Sequence, residues 1–215
     1  MAYLTTPLDD LLSSRSKLRL LRRLVDGHDD LSGRELARRA GVTWRAADLA
    51  LRDLVQLGVV HRTDARGQSR YTLVEKHTLV HDAVVPLFGA ERAWAGAVRR
   101  GIRDALQMRG QRPRDIRWAG LYGSVARGDD RPDSDLDVAV VANSVVAVAR
   151  VRLTMNEAGP HLATRFGRAP SVLVFTASHW KGLIARDAGM RRALTSEAIP
   201  LMGDISFAEA VGRGA

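Results

Sequence analysis

Two aspartates, Asp135 and Asp137, stand two positions apart and follow a glycine-serine pair, Gly123-Ser124, across a short polar segment. On an extended strand, side chains two apart share a face, roughly 6.5–7 Å from each other along it, so both carboxylates can serve the same hard cations. Mg²⁺ takes few protein carboxylates and fills its octahedron with water and phosphate oxygens, so a partial protein cage suits it. Two such ions roughly 3.5–4 Å apart can clamp the attacking and leaving oxygens of an in-line displacement. Gly123 lets backbone N–H groups come close to an anion, and Ser124 at a helix start offers an N–H and a hydroxyl to a phosphate. These residues together point to the binding of a magnesium nucleoside triphosphate.

The elements that must hold them are short. Ile116 to Tyr122 reads as a strand, Asp129 to Ser134 as a polar loop, and Asp135 to Val141 as a second strand whose core face is Leu136, Val138 and Val140. The run Gly-Ser-Val-Ala-Arg-Gly-Asp-Asp-Arg-Pro-Asp-Ser-Asp-Leu-Asp-Val closely resembles the signature of the polymerase-beta-like nucleotidyltransferases, in their small bacterial form. By that resemblance Gly123 and Ser124 contact nucleotide phosphates, Arg127 holds the loop or the phosphates, and Asp135 and Asp137 are the catalytic residues that bind Mg²⁺. The family moves a nucleoside monophosphate from an NTP, here expected to be ATP, to a hydroxyl or other acceptor, without a covalent enzyme intermediate. One feature departs from its pattern. A third carboxylate is usual on a later strand, and the candidate strand Ser171 to Phe175 holds no acid. Ser171 cannot take a proton from a hydroxyl at neutral pH. Glu157 and Asp187 remain as substitutes that nothing in the sequence brings to the site, so whether the domain is an active enzyme is left open.

The first third of the chain is patterned differently. Asp10 to Val25 carries a leucine stripe that reads as one helix; Ser32 opens a second, through Ala40, closed by Gly41; Thr43 caps a third, from Trp44 to Leu57. Val59 to Thr63 and Ser69 to Val74 flank a glycine-bearing tip and read as a hairpin. This order resembles the winged helix-turn-helix regulators, over about residues 8–75. The resemblance implies double-stranded DNA as a partner, with Thr43, Trp44, Arg45, Asp48 and Arg52 of the third helix nearest the major groove and Arg66 and Arg70 of the hairpin reaching the flanking backbone.

Composition agrees with a soluble mixed protein. Of 215 residues 46% are hydrophobic and 27% charged, and the net charge of +9 favours a polyanionic partner. With no cysteine, disulfides, thiolate metal sites and a cysteine nucleophile are excluded. No apolar run is long enough to span a membrane and the first residues do not read as a signal peptide, so a cytoplasmic protein is expected. The expected class is α+β: a winged helix-turn-helix at 1–76, a helical connector at 77–110 formed by helices His77–Phe88 and Glu91–Met108 split at Gly89, a nucleotidyltransferase α/β domain with a mixed sheet at 111–205, and a tail at 206–215. The function these expectations join into is a homodimeric, DNA-binding transcriptional regulator with a nucleotide-binding domain. The alternatives are an active nucleotidyltransferase acting on a small molecule, protein or RNA, and an antitoxin-like component with a toxin-like protein partner.

Overall fold

The computed structural model describes residues 5–27, 30–65, 67–108, 115–184 and 187–212. Its contacts divide the chain into two units, Met1–Trp94 and Ala95–Ala215, with the division inside a long helix.

In the first unit, α1 (Pro7–Leu11), α2 (Arg15–Asp26), α3 (Gly33–Ala40) and α4 (Trp44–Gln56) pack with a three-stranded antiparallel sheet. The strands are β1 (Leu31–Ser32), β2 (Val60–Ala65) and β3 (Gln68–Leu73), in the order β1-β3-β2. Local chemistry sets the helix ends. The hydroxyls of Ser32 and Thr43 accept from the N–H groups of Glu35 and Ala46, and Gly41, at φ +62°, closes α3 in a left-handed conformation. Leu20, Leu21, Leu36, Leu51 and Leu54 are fully buried between these helices.

The single helix expected over 10–25 is two. Ser14 caps α2 by accepting from the Lys17 N–H, and Lys17 fastens the break. Its buried ammonium donates to the Asp10 carbonyl at 2.9 Å and to Ser13 Oγ at 3.1 Å, and pairs with Asp53 of α4 at 3.0 Å. The leucine stripe runs through this break because period alone does not register a serine pair that competes for backbone N–H groups.

The connector also differs. A wide turn, Val80–Val84, leads directly into α5 (Val85–Leu106), and Gly89 lies inside that helix rather than splitting it. A glycine in a helix interior costs only about 1 kcal/mol. Phe88 is buried beside it, Glu91 forms a two-point ion pair with Arg22, and Arg92 pairs with Asp26. Its apolar residues divide between cores: Val80, Val84 and Phe88 join the first unit's, and Val98, Ile102, Ala105 and Leu106 the second's.

The second unit is built on a mixed four-stranded sheet ordered β6-β5-β4-β7, where β4 is Ile116–Leu121, β5 Leu136–Ala142, β6 Pro170–Thr176 and β7 Ile199–Met202. β4 is antiparallel to both its neighbours and β5 is parallel to β6. The 22-residue α7 (Val145–Phe166) makes that parallel crossover. β5 is buried on both faces, as a central strand must be. Leu136, Val138 and Val140 meet α5 and α7, whereas Ala139 and Val141 meet an aromatic layer of Trp118, Phe175, Trp180 and Phe207. α8 (Ala177–Ile184), α9 (Ala188–Arg192), a wide turn at Ala193–Glu197 and α10 (Phe207–Gly212) follow. Residues 206–215, expected as a tail, thus contribute α10, whose Phe207, Ala210 and Val211 are buried in that aromatic layer. Among the described residues no helix is long and apolar enough to cross a membrane.

Candidate functional site

The strand directions bring one set of ends together. The C-terminal end of β4 and the N-terminal ends of β5, β6 and β7 lie at the same edge of the second sheet. At that edge the chain turns from β4 through Tyr122 into a five-residue helix, α6 (Gly123–Arg127). Gly123 has φ +74°, a conformation costly for any other residue, and a Cβ there would overlap the Asp137 carboxylate. The turn therefore lies directly over Asp137, and a hydrogen bond from the Tyr122 N–H to the Asp137 carbonyl, 3.0 Å, fixes that approach. Gly128, at φ +75°, ends the helix with its N–H on the carbonyls of Ser124 and Val125.

Asp137 is partly buried on β5, on the face that its neighbours Ala139 and Val141 turn toward the aromatic layer, and Asp135 is exposed just before the strand. Burial, then the charge of Asp135, raises the Asp137 carboxyl above its ordinary value, while Arg127 pulls the other way. Burial and the Asp137 charge likewise raise the Tyr122 phenol. A cation beside the partly buried Asp137 and its exposed neighbour Asp135 would offset both the burial and the like charge. The donors are all oxygen and number two, which fits Mg²⁺ and does not fit a metal needing a full protein cage. Among the described residues no group of three acidic or histidine side chains surrounds a metal position. Mg²⁺ held by Asp135 and Asp137 would neutralise phosphate charge beside the Gly123 turn.

Arg127 reaches Asp129 at 3.2 Å and Glu197 at 3.6 Å. Glu197 was not singled out by sequence, because it enters only through the turn after α9 that packs on α6. Ser171 is the register partner of Asp137 on β6, so the residue near which the resemblance called for an acid lies beside Asp137 and is a serine. Of the two substitute acids, Asp187 caps α9 by accepting from the Met190 N–H at 2.9 Å, and Glu157 is exposed on α7.

In the first unit, Thr43 spends its hydroxyl on the α4 cap. Trp44 is 44% exposed, with its ring packed over Gly33. Arg45 is exposed, and Arg52 pairs with Asp48 at 2.8 Å. Arg70 turns back to the Asp30 carbonyl at 2.5 Å, and Arg66 lies outside the described residues. Two arginines that sequence did not single out, Arg34 at the start of α3 and Arg62 on β2, join Trp44, Asp48 and Arg52 around a cleft between α4 and the hairpin.

Comparison with known proteins bears on the second unit. No curated protein matches the chain significantly. A solved structure described as "Crystal structure of the toxin-antitoxin with AMP-PNP" contains a chain 18% identical to this one, at a TM-score of 0.32, covering 49% of this chain and 73% of that one. A family model described as polymerase beta, nucleotidyltransferase, matches residues 105–165, the segment containing Gly123, Ser124, Arg127, Asp135 and Asp137. Residues 105–165 thus carry a polymerase beta-like nucleotidyltransferase domain.

Proposed function

We propose that the second unit binds a magnesium nucleoside triphosphate, ATP first among them, at the Gly123–Asp137 edge of its sheet, and that the first unit is a winged helix-turn-helix that binds double-stranded DNA. The protein is then a transcriptional regulator, acting as a homodimer on paired half-sites, whose nucleotide state biases its hold on DNA. The observation that carries this reading is the close approach of the Gly123 turn to the Asp137 carboxylate, with Asp135 beside it. Phosphate-accepting backbone and cation-accepting acids then share one wall of the site.

For DNA, the support is the cationic face formed by Arg45 and Arg52 of α4 and the adjoining hairpin, together with the net charge of +9. Regulation requires the nucleotide to bind DNA-competent and incompetent arrangements with unequal affinity. A second reading, nucleotidyl transfer to an acceptor, is favoured by the family match over residues 105–165. Ser171, the register partner of Asp137, is itself no base for the acceptor's proton.

Calorimetric titration with ATP and Mg²⁺ tests the nucleotide site: binding is expected, with at least a tenfold loss on Asp135→Ala or Asp137→Ala. Unchanged affinity would remove it. Duplex DNA binding is expected to weaken steeply with salt through counterion release, and further on Arg45→Ala and Arg52→Ala. Background affinity indifferent to those changes would remove the DNA half. Pyrophosphate release from labelled ATP, lost on Asp137→Ala, would establish transfer instead of sensing.

A further inference from the structure

The cleft between α4 and the hairpin is larger than a groove wall needs to be. It encloses about 530 Å³ and lies wholly within the first unit. That volume falls within the roughly 300–1,000 Å³ typical of small-molecule sites and is much more than one phosphate fills. Arg34, Arg52 and Arg62 line it against a single acid, Asp48. Two of the three guanidinium groups are held in place. Arg52 pairs with Asp48 at 2.8 Å, and Arg62 donates to Asp64, 3.0 Å from its terminal nitrogen, while Asp64 also accepts from the Ser69 hydroxyl at 2.7 Å.

The aromatic side of the cleft is equally built. Trp44 and Tyr71 flank Gly33, where a Cβ would stand 2.9 Å from the Trp44 ring and 3.0 Å from the Tyr71 ring. Gly33 is thus what lets the rings close over α3. Tyr71 is buried, whereas Trp44 keeps 44% of its surface open. Gln68 adds an amide at the rim.

We propose that this cleft is a nucleotide pocket separate from the one in the second unit, taking a phosphate on Arg34, Arg52 and Arg62 and a base or sugar against Trp44. Guanidinium forks match phosphate oxygens in pairs, and an open indole is a stacking platform for any base. The nucleotide unit has two sources: a free nucleotide, or one residue of a bound DNA strand. The pocket stands on the cleft's own geometry, and in its second source it deepens the DNA-binding reading.

The test uses the full chain carrying Asp137→Asn, in EDTA, so that the second unit's site is silent. AMP and a short mixed-sequence duplex are titrated separately, with calorimetry and Trp fluorescence as readouts. Arg34→Gln and Arg62→Gln are the perturbations, and circular dichroism confirms the fold. AMP binding that quenches Trp fluorescence, and that falls at least tenfold with either substitution, establishes the pocket with a free ligand. If AMP does not bind but the duplex does, with the same tenfold loss, the pocket serves a DNA strand. If neither probe binds, or both bind indifferently to the two substitutions, the pocket is overturned. Duplex binding that falls with Arg45→Ala but not with Arg34→Gln or Arg62→Gln removes the pocket and leaves DNA binding standing. Arginine-dependent AMP binding without duplex binding does the reverse.

Discussion

Replacing Asp137 by asparagine is expected to stabilise the protein while disabling its site. The side chain keeps its shape and loses the charge that burial and Asp135 both disfavour. Carboxylates two residues apart on extended backbone lie roughly 6.5–7 Å from each other. Like charges at that distance repel by about 0.6 kcal/mol in water and about 2.5 kcal/mol at an effective dielectric of 20. Asp135 is exposed and Asp137 partly buried, so a relief of about 1 kcal/mol is expected, since the pair sits nearer the aqueous limit. For a chain of this size that corresponds to a melting temperature about 2–4 °C higher. Trp118 and Trp180 are buried in the second unit, and their emission reports its unfolding.

The pH dependence has a defined sign. The folded-state value of Asp137 is raised, so folding favours its protonated form. Its contribution is favourable below the ordinary value of 3.8 and is lost as pH rises through the raised one. The asparagine variant and the parent are therefore expected to melt together near pH 3 and to separate by pH 7, with the variant higher. Saturating ATP and Mg²⁺ should reverse the order. A ligand at 100 times its dissociation constant adds about 2.7 kcal/mol to the parent, and the variant gains little. A variant that melts at or below the parent at pH 7 in EDTA, or that gains equally from ATP and Mg²⁺, would refute the electrostatic account of the site.

Gly123→Ala places a Cβ at φ +74° and against the Asp137 carboxylate. The backbone alone costs about 1–2 kcal/mol, and calorimetry with ATP and Mg²⁺ should show at least a tenfold loss of affinity with circular dichroism unchanged. Asp115 is 6% exposed and makes a two-point ion pair with Arg150 of α7, at 2.9 and 2.5 Å. Asp115→Ala removes the buried partner of the Arg150 guanidinium and is expected to lower the melting point measurably, read by circular dichroism. Replacing both partners with leucine should recover part of the loss.

What the sequence made legible is what neighbours in the chain decide. Ser32, Thr43 and Gly41 act on backbone groups within four residues, so their caps follow from local pattern. The period of a strand is enough to put Leu136, Val138 and Val140 on one core face and Asp137 on the other, although that other face, through Ala139 and Val141, is buried as well. Long-range partners were not legible. Lys17 makes the Ser13-Ser14 break firm by reaching Asp53, and the ion pairs of Glu91 and Arg92 hold α5 in the turn just after Gly89. Arg34 and Arg62 share a cleft only because β3 pairs with both β1 and β2, a register that no short window contains.

The pairing of Asp137 with Ser171 bears most directly on what the site can do. Neighbouring strands stand roughly 4.8 Å apart, so an acid at position 171 would press a third charge on a carboxyl already raised by burial and by Asp135. A cation bound there would repay that repulsion, and the third acid would take the proton that an acceptor hydroxyl sheds. With serine in its place, the residues proposed to hold a magnesium nucleotide, Asp135, Asp137 and the Gly123 turn, stand beside a side chain that is no base for an acceptor hydroxyl. Binding and transfer make separable demands on this edge of the sheet. The proposed reading concerns the first, so ligand-dependent stability, rather than product formation, is the property by which Asp135 and Asp137 are to be judged.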